Sequence, residues 1–240
     1  MTFDPVQDRR TVLKATGIAA AALLGSASHA LRAYAAALTA AQRDKLTPES
    51  VIGLLQAGNE RFRHGKESPH DFRAQQKASA KGQYPAAMIL SCIDSRAAAE
   101  TICDLGIGEG FNARVAGNVV NDDILGSMEF ACKVAGAKLI LVMGHTACGA
   151  VKGAIGNVQL GNLTGLLAKI RPAVDATDYR GDRSATNYGF VDAVARKHVE
   201  LTVADIRRRS PVLAELEGSG GVKIVGGMYD LGSGRLDLLA

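Results

Sequence analysis

Four short apolar runs, Ala86–Ser91, Phe111–Ala116, Lys138–Met143 and Val222–Met228, constrain the fold of this chain more than any other feature. Each is strand-sized and continuous rather than alternating, as expected when both faces of a strand are covered. Between and after them lie helical segments at about Asp122–Ala135, Ala147–Ile155, Leu163–Val174, Thr186–Arg208 and Pro211–Glu217. Strand and helix alternating in this way imply right-handed crossovers. The expectation is an α/β fold with a central, mostly parallel sheet of four to five strands flanked by helices. An N-terminal helical arm precedes it. Thr47 caps its main helix, Pro48 takes the first position, and Val51, Leu54, Leu55, Gly58 and Phe62 follow at helical spacing. A shorter helix is expected over Ala74–Lys81.

Composition supports a globular domain and excludes several functions. Apolar residues make up 47% and charged residues 22% of 240 residues, an ordinary balance for one domain with its own core. The net charge is only +4, and its one basic block, Arg207-Arg208-Arg209, closes a helix where cations suit the carbonyl end. No basic face is left for nucleic acid, so no nucleic-acid partner is expected.

The first residues read as an address. Arg9-Arg10 and Leu13-Lys14 precede an uncharged, alanine-rich stretch from Ala15 to about Ala27, followed by small residues through Ala37. This is the layout of a secretory signal, and the run is too short for a membrane span. The paired arginines resemble a twin-arginine export signal, although Val12 stands where an aromatic is usual and Asp8 where Ser or Thr is. The expected division is an export signal over 1–37, cleaved, and a catalytic domain over 38–240. That implies engagement of the twin-arginine export machinery and a periplasmic or secreted location.

The chemistry concentrates at strand ends. Cys92 follows the first strand run, and His145 lies just past the third, with Cys148 three residues on. In parallel α/β sheets the carboxyl ends of strands line the binding crevice, so residues fifty apart in sequence meet there. Two thiolates and one imidazole suit zinc, and three protein ligands leave the fourth position open for catalysis. A closed structural site would need a fourth Cys or His, and neither Cys103 nor Cys132 is placed obviously to supply it. Asp94 and Arg96, beside Cys92, can pair bidentately on a tight loop. Asp94 then either orients a zinc-bound water or binds the zinc itself, and Arg96 decides between the two.

Cys92-Ile93-Asp94-Ser95-Arg96, Arg114-Val115-Ala116-Gly117-Asn118 and Gly144-His145-Thr146-Ala147-Cys148-Gly149-Ala150, in that order, resemble the β-class carbonic anhydrases. The likeness runs from about Leu54 to the C-terminus. It implies one Zn²⁺ per chain on Cys92, His145 and Cys148, with Asp94 as a fourth ligand in closed forms, and Asp94 with Arg96 as the catalytic dyad. It further implies a substrate site with Gln83, in the manner of the open, plant-like subgroup, and with Phe111 and Phe130 lining a small apolar pocket. The implied reaction is reversible hydration of carbon dioxide to bicarbonate and a proton, in a homodimer or homotetramer. Departures from the family pattern are Ala97-Ala98-Ala99 after the dyad and Asn112 within a strand. His198 reads as an exposed polar residue, and His70 as a candidate proton shuttle. Two alternatives remain: hydrolysis of carbonyl sulfide or carbon disulfide on the same site, and a non-catalytic zinc-binding or redox protein using Cys103 and Cys132.

Overall fold

The structure is a computed structural model that describes residues 37–239. Apart from Ala37, the expected export signal lies outside the described residues.

Among the described residues, five strands form one sheet in the order β2-β1-β3-β4-β5. They are β1 (Ala87–Ser91), β2 (Gly110–Arg114), β3 (Leu139–His145), β4 (Lys223–Tyr229) and β5 (Leu236–Leu238). The first four are mutually parallel, while β5 returns antiparallel against β4. The mostly parallel sheet is therefore as expected, and β5 is its fifth strand. At three residues β5 is too short to carry a periodic signal of its own. It is set by the Asp230–Arg235 hairpin, where the Asp230 amide donates to the Arg235 carbonyl at 2.8 Å.

Both faces of the sheet are buried, which is why the strand runs are continuous. Met88, Leu90, Ile140 and Val142 join one core with Phe190, Val194 and Val199 from the Tyr188–Arg209 helix. Ile89, Leu139, Leu141 and Met143 join the other with Val51 and Leu55 from the Pro48–Arg63 helix. That helix starts as its sequence dictates. The Thr47 amide donates to Ser50 Oγ at 2.9 Å, and the Ser50 amide donates back to Thr47 Oγ1 at 3.2 Å.

Two buried side chains fasten this arm to the sheet domain. Asn59 donates to the carbonyls of Ile102 (3.1 Å) and Gly234 (2.9 Å), and accepts from the Leu236 amide at 2.9 Å. Asp104 accepts from Arg61 Nε at 2.5 Å and from the Ser68 amide and hydroxyl, and it bonds His70 Nε2 at 2.9 Å.

Some helix bounds differ from the expected ones for local reasons. The second arm helix is Phe72–Ser79, because Asp71 caps it by accepting from the Ala74 amide. The segment expected as one helix over Leu163–Val174 is two, Gly161–Ala168 and Arg171–Ala176, with Pro172 in the first turn of the second. Proline lacks the N–H an uninterrupted helix would need there. The helix from Asp122 passes at Phe130 into a wider, π-type turn that ends at Val134.

Cys103 and Cys132 are free and buried, one in each core, on opposite faces of the sheet. Burial pushes both thiols up to about 12. The redox alternative built on these two cysteines is thus corrected: the sheet separates them and neither is readily ionised.

Candidate metal centre

Sheet register delivers the first two ligands. Ser91, the last residue of β1, pairs with Met143, and β3 continues through Gly144 to His145 alongside Met228 and Tyr229. Cys92, leaving β1, therefore emerges beside His145. Gly144 permits close approach of the covering helix, since a Cβ there would meet Val199 Cγ2 at 2.6 Å. The turn to Cys148 is held at each residue. The Thr146 amide donates to the Tyr229 carbonyl at 3.0 Å, and the Ala147 amide donates to Asp192 Oδ1 at 2.7 Å. Ala147 adopts φ 55, a left-handed backbone that a non-glycine residue takes only when its surroundings enforce it. The result brings the donor atoms of Cys92, His145 and Cys148 within 4.8 Å of one another, all buried.

The electrostatics of this cluster call for a cation. His145 Nδ1 lies 2.9 Å from the Thr146 carbonyl, which can only accept, so Nδ1 carries a hydrogen and Nε2 is the nitrogen left to face a metal. Among the described residues Nε2 is buried with no hydrogen-bond partner, as are Asn112 Nδ2 and Asn118 Nδ2, and of the three residues His145 alone belongs to a cluster that could hold a metal. The Cys148 thiol beside it holds Cys92 well below the ordinary thiol range against the pull of burial, with help from His145 and from the Gly117 amide, 3.3 Å from Cys92 Sγ. Cys148 is pushed up in turn by its hydrogen bond with Cys92 and by burial. Two thiolates so close repel each other, and a divalent ion between them removes the conflict.

Asp94 stands beside the cluster. Its Oδ1 accepts from the Arg96 amide and Nε, both at 3.0 Å, and its Oδ2 accepts from Arg96 Nη2 at 2.8 Å. Oδ2 is 3.9 Å from His145 Nε2. Arg96 keeps the carboxyl well below the usual carboxylate range. Arg114, from the end of β2, pins the same loop by donating to the carbonyls of Cys92 (2.9 Å) and Asp94 (2.6 Å).

The profile of the family described as carbonic anhydrase matches residues 87–236. The chain belongs to the β-class carbonic anhydrase family. It is 38% identical over 194 residues to carbonic anhydrase 2 of Mycobacterium tuberculosis, spanning 78% of this chain and 91% of that one. Against a carbonic anhydrase of Mycolicibacterium smegmatis the identity is 36%, over 80% of this chain and 93% of that one. Among solved structures, a tetrameric β-carbonic anhydrase from Sordaria macrospora superposes with a TM-score of 0.60 at 26% identity, over 67% of this chain and 83% of that one. A β-carbonic anhydrase of Aspergillus fumigatus gives 0.61 at 25% identity, over 80% and 89%.

This carbonic anhydrase is a zinc enzyme, and its residues fit the metal. Two sulfurs and one orphaned imidazole nitrogen are a three-ligand zinc set of the kind that leaves a position open.

The other expected site residues are more dispersed. Phe111 and Phe130 meet edge to face, with ring centroids 6.2 Å apart. The cavity they line also holds Met88, Asn112, Asp122 and Ser127, but no metal ligand. Gln83 is exposed in the loop ahead of β1. His70 is engaged by Asp104 in a cavity with Glu67, Phe72 and Thr101, again without a metal ligand. The expectation of an exposed His198 is corrected: it is 5% exposed, with Nε2 2.9 Å from the Gly117 carbonyl. Sequence reading missed Asp192 and His198 as supports of the site. Both sit on the long Tyr188–Arg209 helix, whose charged residues carry no signal that some turn inward.

Proposed function

We propose that this carbonic anhydrase hydrates carbon dioxide at a zinc held by Cys92, His145 and Cys148, with Asp94 and Arg96 as the catalytic dyad. Zinc in such a site supplies a water acidic enough to ionise near neutral pH. With zinc in place, Asp94 Oδ2, 3.9 Å from His145 Nε2, would be the group that accepts a hydrogen bond at the open position and orients the nucleophile there. Arg96 fixes both carboxylate oxygens and prevents Asp94 from becoming a fourth ligand, which favours the open-site subgroup. The observation that carries this reading is the pairing of Asp94 with Arg96 3.9 Å from the unpartnered His145 Nε2.

The substrate pocket is read as completed by a second copy of the chain. Phe130 is 50% exposed against Phe111 of the edge strand β2, and Ile107, just ahead of β2, is exposed as well. Apolar exposure beside a free strand edge favours burial in an assembly. A homodimer or homotetramer would bring Gln83, Phe111 and Phe130 to the site of a neighbouring subunit. Residues 1–37 are assigned to twin-arginine export with cleavage, leaving 38–240 as the catalytic domain in the periplasm or outside the cell. The support is the Arg9-Arg10 pair ahead of an uncharged stretch.

Stopped-flow hydration of carbon dioxide by the zinc-loaded protein, run beside sulfide release from carbonyl sulfide and carbon disulfide, tests the activity. Faster turnover of either sulfur substrate than of carbon dioxide would overturn the reading in favour of the hydrolase.

A further inference from the structure

Gly117 links a metal ligand to a buried histidine far along the chain. Its amide donates to Cys92 Sγ at 3.3 Å, and its carbonyl lies 2.9 Å from His198 Nε2. A carbonyl has no proton to give, so Nε2 donates. Burial lowers the His198 pKa, which keeps the ring neutral. The turn that presents Gly117 is a costly one. Gly117 has φ 66 and Asn118, directly after it, φ 43. A Cβ at Gly117 would meet Ile170 Cδ1 at 2.6 Å and Ala150 Cβ at 3.1 Å. Two successive left-handed residues persist only where the surroundings hold them, and His198 supplies a side-chain bond from the middle of the Tyr188–Arg209 helix.

We infer that His198 is a positioning residue: by holding the Gly117 carbonyl it aims the Gly117 amide at the Cys92 sulfur and so sets how strongly that sulfur donates to the metal. A hydrogen bond to a thiolate withdraws charge from sulfur, which leaves the metal more electron-poor. A His198 serving only to fill the core would lack this effect, because a ring of similar volume would replace it. The inference rests on Cys92 being a zinc ligand, which wild-type metal content and the thiolate-to-metal absorption of the cobalt protein check separately.

The test compares His198→Phe with His198→Gln, whose side-chain amide nitrogen lies the same number of bonds from Cα as Nε2. In the cobalt-substituted protein, His198→Phe should move the thiolate-to-cobalt charge-transfer band to lower energy, because a sulfur freed of the hydrogen bond gives up charge more readily. His198→Gln should restore the band toward wild type. A folded His198→Phe protein with the wild-type band would overturn the proposal. Should His198→Phe fail to fold, the ¹¹³Cd-substituted wild type and His198→Gln proteins decide. Coupling between the Gly117 amide proton and cadmium through the Cys92 sulfur in both supports the proposal, and its absence in wild type overturns it.

Discussion

Asp94 and Arg96 bind each other through both carboxylate oxygens, at 3.0 and 2.8 Å, with Arg96 57% exposed and the Asp94 side chain only 15%. An ion pair so open to water contributes little to stability. Its geometry instead fixes where the Asp94 oxygens stand relative to the metal cluster.

Asp94→Ala should therefore leave zinc content and Tm close to wild type while lowering kcat by roughly 10²-fold or more, the scale of losing one positioned group at a reacting centre. Stopped-flow hydration beside metal analysis checks this. An Asp94→Ala protein of full activity would exclude the dyad.

Cys148→Ser should cost the protein most of its zinc, because an uncharged hydroxyl replaces one of two sulfurs. Strong chelation of the wild type should also lower its Tm, since a metal that binds only the folded state stabilises it by mass action. Metal content per chain and thermal scans with and without chelator are the measurements.

Asp192 accepts from the Ala147 amide at 2.7 Å, within the turn that joins two ligands. Asp192→Leu strands that amide and should weaken zinc binding by about 10- to 100-fold, the usual range for groups that orient ligands. Asp192→Asn retains an acceptor oxygen and should stay near wild type. Competition with a chromophoric chelator separates the two.

Asn59→Ala should destabilise the fold by about 2–4 kcal/mol. It leaves one buried carbonyl, one half-buried carbonyl and one buried amide without their Asn59 partner, each buried group costing roughly 1–3 kcal/mol before relaxation. Denaturant midpoints at constant m-value check the figure.

Asp104 gives a pH signature. Burial alone would raise its pKa, but Arg61, Ser68 and His70 outweigh that and hold it below the ordinary value. The unfolded chain therefore binds more protons near the ordinary Asp value of about 3.9. The stabilisation is complete above that pH and is lost as pH falls through the depressed folded value. The stability gap between wild type and Asp104→Asn should shrink on acidification through this window, as read from urea unfolding at stepped pH.

Composition, periodicity and local spacing settled the parallel sheet, the Thr47 cap and the Cys92, His145 and Cys148 cluster. Such features depend on residues near in sequence or on the rule that places chemistry at strand ends. Asp94 and Arg96 were equally legible, being two residues apart on one loop. Tertiary structure alone decided what distant residues do. The burial of His198 against Gly117 and the hold of Asp192 on Ala147 depend on how one long helix lies across the sheet, and its sequence does not mark which polar residues face inward. The separation of Cys103 from Cys132 by the sheet is of the same kind. So is β5, whose three residues become a strand only because β4 offers them an edge.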